Sequence, residues 1–309
     1  VGAAIISGGQ QLANRSFLSF SRAQEASADA AGLTFLDQSG HTAHGFLRFM
    51  ERLGEQDLLP ANRQVEYART HPLTRNRVEA IRAHLARQNR PELLVNDDLR
   101  ERFDRMQAKL LAYLTPRVAF QRFPNVDDSI TANYGRAVAL WRTDDLRGAI
   151  RIMRELLERE PNNPYFHELL GQIELEAGNI NNAITAYTTA SDMLPTSGLT
   201  QVAYAHALTQ RGEERDFETA RDVLLLALQK EPQSSRTHRL LAIAYGRLGQ
   251  EGAARLHLAE EALLQRDLPV AKANLTRARS TIPEEDQQNQ LRLDDIERQI
   301  ELIEADQDQ

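Results

Sequence analysis

The sequence predicts an all-α protein whose C-terminal two thirds is a helical repeat. Three observations carry this. Helix-favouring Ala, Leu, Arg, Glu and Gln dominate, while Gly (16) and Pro (11) are sparse in 309 residues. Nothing alternates with the two-residue period of a half-buried strand. Prolines recur at 161, 195, 232 and 283, each closing a helical segment. A small residue recurs at fixed phase: Ala149, Ala183, Ala220, Ala254 and Ala271, at spacings of 34, 37, 34 and 17.

Thirty-four residues is the length of a tetratricopeptide unit, a helix–turn–helix. The spacing of 37 adds three residues in the turn "RGEERD", and 17 is half a unit. The helix near Gly252–Gln265 should therefore close one pair and open the next. Small residues at Ala137, Gly171, Ala205 and Ala242 mark where paired helices cross, because close crossings leave no room for branched side chains. Units are expected at 130–163, 164–197, 198–234 and 235–266, with a half unit at 267–283 and a charged capping helix and tail at 284–309. The first helices of such units line a groove. By phase its residues are Tyr134, Val138, Trp141, Tyr165, Gln172, Leu175, Val202, His206, Arg236, Arg239, Ile243 and Arg247. An aromatic end and a three-arginine end suit an extended or helical peptide, one with a carboxylate included.

Upstream, helices are expected near 11–20, at 23–37 with a stop at Ser39-Gly40, and along "FLRFMERL". There Phe46, Phe49, Met50 and Leu53 form an apolar stripe. A polar loop runs from Gly54 to Thr70 and ends in "THPLTRNR". Helices follow near Arg75–Arg87 and Leu99–Leu114, and the Pro116/Pro124 stretch, 116–129, reads as a linker.

Net charge is −7, so no basic field recruits nucleic acid or anionic lipid. Cysteine is absent, which excludes disulfides and thiolate metal sites. No stretch reaches the roughly 18–20 apolar residues of a membrane span. The opening "VGAAIISGG" lacks a basic flank and reads as the inside of an apolar helix. A fragment is therefore expected, self-associating through Ile5, Ile6, Leu12, Phe17 and Phe20.

Glu25 and Asp29 stand one helical turn apart among alanines, a like-charge spacing that costs a helix about 0.2–0.5 kcal/mol. Together with "THPLTRNR" and the repeats they resemble the HtpX/BepA-type zinc metallopeptidases (gluzincins). In that family one helix bears H-E-x-x-H and a later helix bears E-x-x-x-D. The resemblance implies an all-α chain: the C-terminal helical part of a metalloprotease domain (1–115), then the repeat solenoid. It implies Glu25 as a zinc ligand and Asp29 as the acid that holds a ligand histidine's other ring nitrogen. It implies His71 as a regulatory ligand able to approach the metal, and Arg77 near the active-site wall. Read from the residues alone, Arg77 is first an ion-pair partner and His71 a loop residue fixed by Pro72.

H-E-x-x-H is absent. His41, His44, His71, His84, His167, His206, His238 and His257 contain no i, i+4 pair. "HTAH" has i, i+3 spacing at a helix start. Zinc is thus expected in the intact protein and none in this chain by itself, which should be inert as a protease. The resemblance implies a periplasmic endopeptidase of envelope quality control, whose partners are unfolded or assembling envelope proteins or peptides. The alternative is a non-catalytic peptide-binding scaffold or chaperone.

Overall fold

Every regular element among the described residues of the computed structural model is an α-helix; these residues are 23–56, 75–88 and 97–307. Packing divides the chain into two units, 1–97 and 98–309.

In the first unit α1 (23–38) ends at Ser39-Gly40, where Gly40 takes a φ of 76°. α2 (His44–Gln56) and α3 (Arg75–Gln88) pack on it around Leu33, Ala43, Met50 and Ile81. Phe46 and Leu53 face inward with Met50, but Phe49 is exposed. The inward stripe of α2 is thus 46/50/53, and Phe49 lies to one side of it. α2 also continues through Gly54, where the sequence suggests a loop. The N-terminal apolar residues Ile5, Ile6, Leu12, Phe17 and Phe20, and with them the expected self-association, lie outside the described residues. So does His71.

The second unit begins earlier than the sequence indicates. α4 (Asp97–Leu114) was expected with the metalloprotease part, yet Leu111 and Ala112 enter the core of the first repeat. The stretch read as a linker holds a helix, α5 (Pro116–Arg122), with buried Ala119. Pro116 opens this helix rather than breaking one, since the first helical residues need no intrahelical N–H partner. The Phe123 ring then packs over Gly135, where an added Cβ would come within 2.6 Å of it.

Helix pairs follow: α6 (Ile130–Arg142) with α7 (Leu146–Arg159), and α8 (Pro164–Glu176) with α9 (Ile180–Met193). Next come α10 (Gly198–Arg211) with α11 (Glu214–Lys230), α12 (Ser235–Arg247) with α13 (Glu251–Leu264), α14 (Leu268–Thr281) and α15 (Gln287–Gln307). The repeating alanines are buried because each sits where two helices meet. At Gly171 a Cβ would stand 2.9 Å from the Tyr187 ring, so hydrogen is the only side chain that fits.

The turn inside each pair carries one left-handed residue: Asp144, Gly178, Gly212 and Gly249, with φ between 68° and 79°. Arg266, φ 58°, repeats this after α13. The turns between pairs instead carry the prolines, followed by caps: Asn163, Ser197 and Ser234 accept from the N–H groups of Tyr165, Thr200 and Thr237. Both turns flanking α13 are of the within-pair kind, so α13 closes one pair and opens the next. α15 does more than solvate the end. Its Leu293, Ile296 and Ile300 are buried with Leu256, Leu263 and Leu275.

Candidate functional site

The opening acids of α1 meet α3 through one guanidinium. Arg77 donates from Nε to Asp29 Oδ2 (2.6 Å) and from Nη2 to Asp29 Oδ1 (2.8 Å). Its Nη1 lies 3.0 Å from Glu25 Oε2. Arg77 and Asp29 are 7% and 8% exposed, so the fork is desolvated and each oxygen matters. The helix tolerates the Glu25/Asp29 repulsion because one cation lies between them. Ala23, Ala26, Ala30 and Ala80 bring the two helices close and line, with Asp29, Arg77 and His84, a cleft of about 610 Å³. His84 Nε2 pairs with Asp37 at 3.1 Å at its side.

In this chain the partner of Asp29 is Arg77, the ion pair that the residues alone suggest; the imidazole that the resemblance implies would come from an H-E-x-x-H segment that this sequence does not contain. Among the described residues no histidine joins Glu25, so they supply one carboxylate oxygen already facing a guanidinium. That set does not fit a catalytic zinc, which takes about three protein ligands.

The repeat surface is partly as the phase suggests. Tyr165, Arg236, Arg239, Ile243 and Arg247 are exposed, and Trp141, Gln172, Leu175 and His206 are half-buried. Tyr134, Val138 and Val202 are not available to a peptide: they are 4%, 0% and 8% exposed. α4 is the reason for the first. It lies across the first helices, with Arg105 bidentate to Glu160 (2.6 and 2.7 Å) and stacked over Phe166. Tyr134 packs on that same Phe166 ring at 5.1 Å, and Tyr113 of α4 lies 5.8 Å from Trp141. Val138 and Val202 lie in the cores where helices of neighbouring repeats meet.

A cleft of about 950 Å³ remains between α4 and the turn Glu160–Phe166, with Arg102, Met106, Lys109 and Tyr165 on its walls. Burial pulls the Glu160 carboxyl up, but hydrogen bonds from Arg105 and Asn163 outweigh it, so it titrates below the ordinary range. A polar chain crosses the first helices. Trp141 Nε1 donates to Glu176 Oε2 (2.6 Å), Gln172 to Glu176 Oε1 (2.6 Å), and Tyr187 Oη to Gln172 (3.2 Å). Of the three arginines, Arg239 pairs with Glu261 at 2.8 Å and Arg247 lies over Phe217 at 5.2 Å. Arg236 is exposed, and with burial it lowers the pKa of His206.

Two family models match this chain. Residues 1–85 match peptidase family M48, and residues 121–258 match the cytochrome c-type biogenesis protein H TPR domain. In chain order, a segment similar to peptidase family M48 precedes one similar to a tetratricopeptide-repeat domain. The resemblance drawn from Glu25, Asp29, "THPL" and the repeats agrees with both. The chain is 28% identical over 223 residues to the beta-barrel assembly-enhancing protease of Escherichia coli K12, covering 70% of this chain and 45% of that protein. It is 24% identical over 216 residues to that of Yersinia pestis, covering 68% and 44%. The chain thus spans about half the length of the curated relatives it matches. A solved structure, "MamA MSR-1 C2", superposes with a TM-score of 0.45 at 17% identity, covering 55% of this chain and 98% of that one. No described helix is long and apolar enough to cross a membrane.

Proposed function

We propose that this chain is part of a zinc-dependent endopeptidase of the bacterial periplasm, acting in envelope protein quality control, with the repeats engaging clients or partners. The observation that carries the reading is the pairing, in one chain and in this order, of an M48 match at 1–85 with a repeat match at 121–258. The name of the relatives, a protease that enhances β-barrel assembly, points to envelope proteins as the clients. Zinc belongs to the whole enzyme, where Glu25 would hold it together with ligands beyond the described residues. When bound it would supply the activated water.

In this reading the Arg77 fork holds α1 against α3 and fixes the rotamer and direction of Glu25. Arg77 is then a positioning residue. His71 is a regulatory ligand in this reading: a neutral imidazole on the metal would fill the place the nucleophilic water needs. In the intact enzyme, Glu25→Gln should abolish cleavage of an unfolded substrate such as casein, while His71→Ala should raise it. Loss of activity in His71→Ala with zinc retained would sink the latency part alone.

The scaffold reading stands second, on one observation: Arg77 already occupies both acids. It predicts no cleavage by the intact protein, while photocrosslinkers at exposed Tyr165 and Ile243 still capture peptides.

A further inference from the structure

Three donor atoms from adjacent helices converge in the last full repeat. His238 on α12 and His257 on α13 face each other with Nδ1 atoms 3.0 Å apart. Glu260 Oε2 is 2.7 Å from His238 Nδ1 and 3.3 Å from His257 Nδ1. The rings are 5% and 1% exposed, and Tyr245 stacks on His257 at 5.4 Å. Arg292 of α15 holds the carboxylate, with Nη2 2.7 Å from Oε2 and Nε 3.3 Å from Oε1.

Proton bookkeeping makes the cluster unusual. His238 Nε2 faces the carbonyl of Pro232 at 3.4 Å, and His167 makes the same contact to Pro161 at 2.8 Å two repeats earlier. A carbonyl only accepts, so Nε2 carries the hydrogen. In the neutral ring Nδ1 is then a lone pair, aimed at a carboxylate oxygen and a second imidazole nitrogen. A proton on His238 satisfies one of these contacts. If His257 Nδ1 is protonated too, two N–H groups crowd one oxygen that Arg292 already uses. One cation at the centre satisfies all three donors together.

We propose that His238, His257 and Glu260 bind a divalent d-block cation of the zinc class, at a site separate from the zinc implied by the peptidase family. Two imidazoles and a carboxylate suit Zn²⁺, Co²⁺, Ni²⁺ or Cu²⁺ and disfavour Mg²⁺ and Ca²⁺, which take all-oxygen sets. Ligand atoms around a tetrahedral zinc with bonds of about 2.0–2.1 Å stand about 3.3 Å apart. The observed edges of 2.7, 3.0 and 3.3 Å reach that if the His238–Glu260 edge opens by about 0.6 Å and the His238–His257 edge by about 0.3 Å. The fourth position is left for water. The Pro232 carbonyl orients one ring, the outer contact such sites use. The ion would tie α12 to α13 and, through Glu260 and Arg292, secure α15. Arg292 shares its carboxylate with the ion and so weakens the site.

The test uses the full chain, stripped with chelator and titrated with Co²⁺ alone and then Zn²⁺. One Co²⁺ per chain should bind with the intense visible absorption of a tetrahedral site, be displaced by Zn²⁺, and raise the Tm. His257→Gln and Glu260→Gln should each remove that absorption with helical circular dichroism retained, while Glu25→Gln should leave it unchanged. Arg292→Gln should tighten binding several-fold, a gain that misfolding cannot produce. A wild-type chain that takes up no stoichiometric Co²⁺ overturns the site and leaves a shared proton in its place. Absorption that survives in both His257→Gln and Glu260→Gln overturns it equally.

Discussion

Arg77 shows how much one buried side chain can decide. Its fork satisfies Asp29 at two oxygens and Glu25 at one, in a setting with little water to replace a lost partner. Removing one partner of a buried ion pair costs about 3–5 kcal/mol. Arg77→Met should therefore destabilise the first unit by that order in denaturant unfolding, and Arg77→Lys should not restore it, because an ammonium cannot make the planar fork. A loss under about 1 kcal/mol, the range of exposed pairs, would show the fork to be solvated. Asp216 permits a pH prediction. Arg211 donates to it at 2.5 and 2.8 Å, and the Glu213 N–H donates to it at 3.1 Å, closing the cap of α11. The Arg211 bonds lead in holding its carboxyl below the ordinary aspartate range. A depressed folded-state pKa stabilises fully above the unfolded value of about 3.9, and that stability is lost as pH falls through the lower folded value. The Asp216→Asn chain should be less stable at pH 7, by about 0.5–2 kcal/mol as for a lost cap, and the gap to wild type should close at the acid end. A gap constant from pH 7 to pH 2 would exclude this origin.

At the scale of the element, the left-handed turns separate repeat from exception. Asp144 and Arg266 hold the conformation that Gly178, Gly212 and Gly249 hold in the other turns. A side chain there costs roughly 1–2 kcal/mol, part of which glycine returns in the unfolded chain's entropy. Arg266→Gly should raise thermal stability by a net amount on the order of 0.5–1 kcal/mol, and Gly249→Ala should lower it by a similar amount. No change in either melting curve would mean that the turn is not under strain. The α8–α9 crossing gives a second check. Gly171 faces Tyr187, where the same phase in neighbouring pairs carries Met153 and Leu224. Gly171→Ala should cost about 1–3 kcal/mol through overpacking. Adding Tyr187→Leu should recover part of that, and simple additivity of the two losses would refute the contact as the cause.

At the scale of the molecule, the cores of the two units share no residue among the described ones. The first is built from residues between Leu33 and Leu85, and those of the second lie between Leu111 and Ile303. Residues 98–309 expressed alone should keep a cooperative thermal transition and a helical circular dichroism spectrum, since each repeat buries its face on its neighbours. A broad, non-cooperative melt would mean that the first unit supplies part of their core.

The sequence by itself determined the fold class, the repeat phase, the halved last step and the placing of Glu25 and Asp29 on one helix face, because each is written in local spacing. The 34-residue period follows from helix length plus turn, and an i, i+4 pair lies on one helical face wherever the helix goes. Only the tertiary structure decided which partners those residues meet. Arg77 lies 48 positions from Asp29, and nothing in local spacing says that it fills the gap between the acids. Phase alone gives every first-helix residue the same outward face; the packing of α4 buries Tyr134, and contacts between repeats bury Val138 and Val202. A linker and a first helical turn use the same proline, so the role of Pro116 depends on what Ala119 packs against. His238 and His257, 19 residues apart on different helices, match no metal spacing in the sequence; only Glu260, three residues after His257, left a local trace. Periodicity fixes which face of a helix is apolar, whereas contacts distant in sequence come from how helices stack, and that is settled by packing over the whole domain.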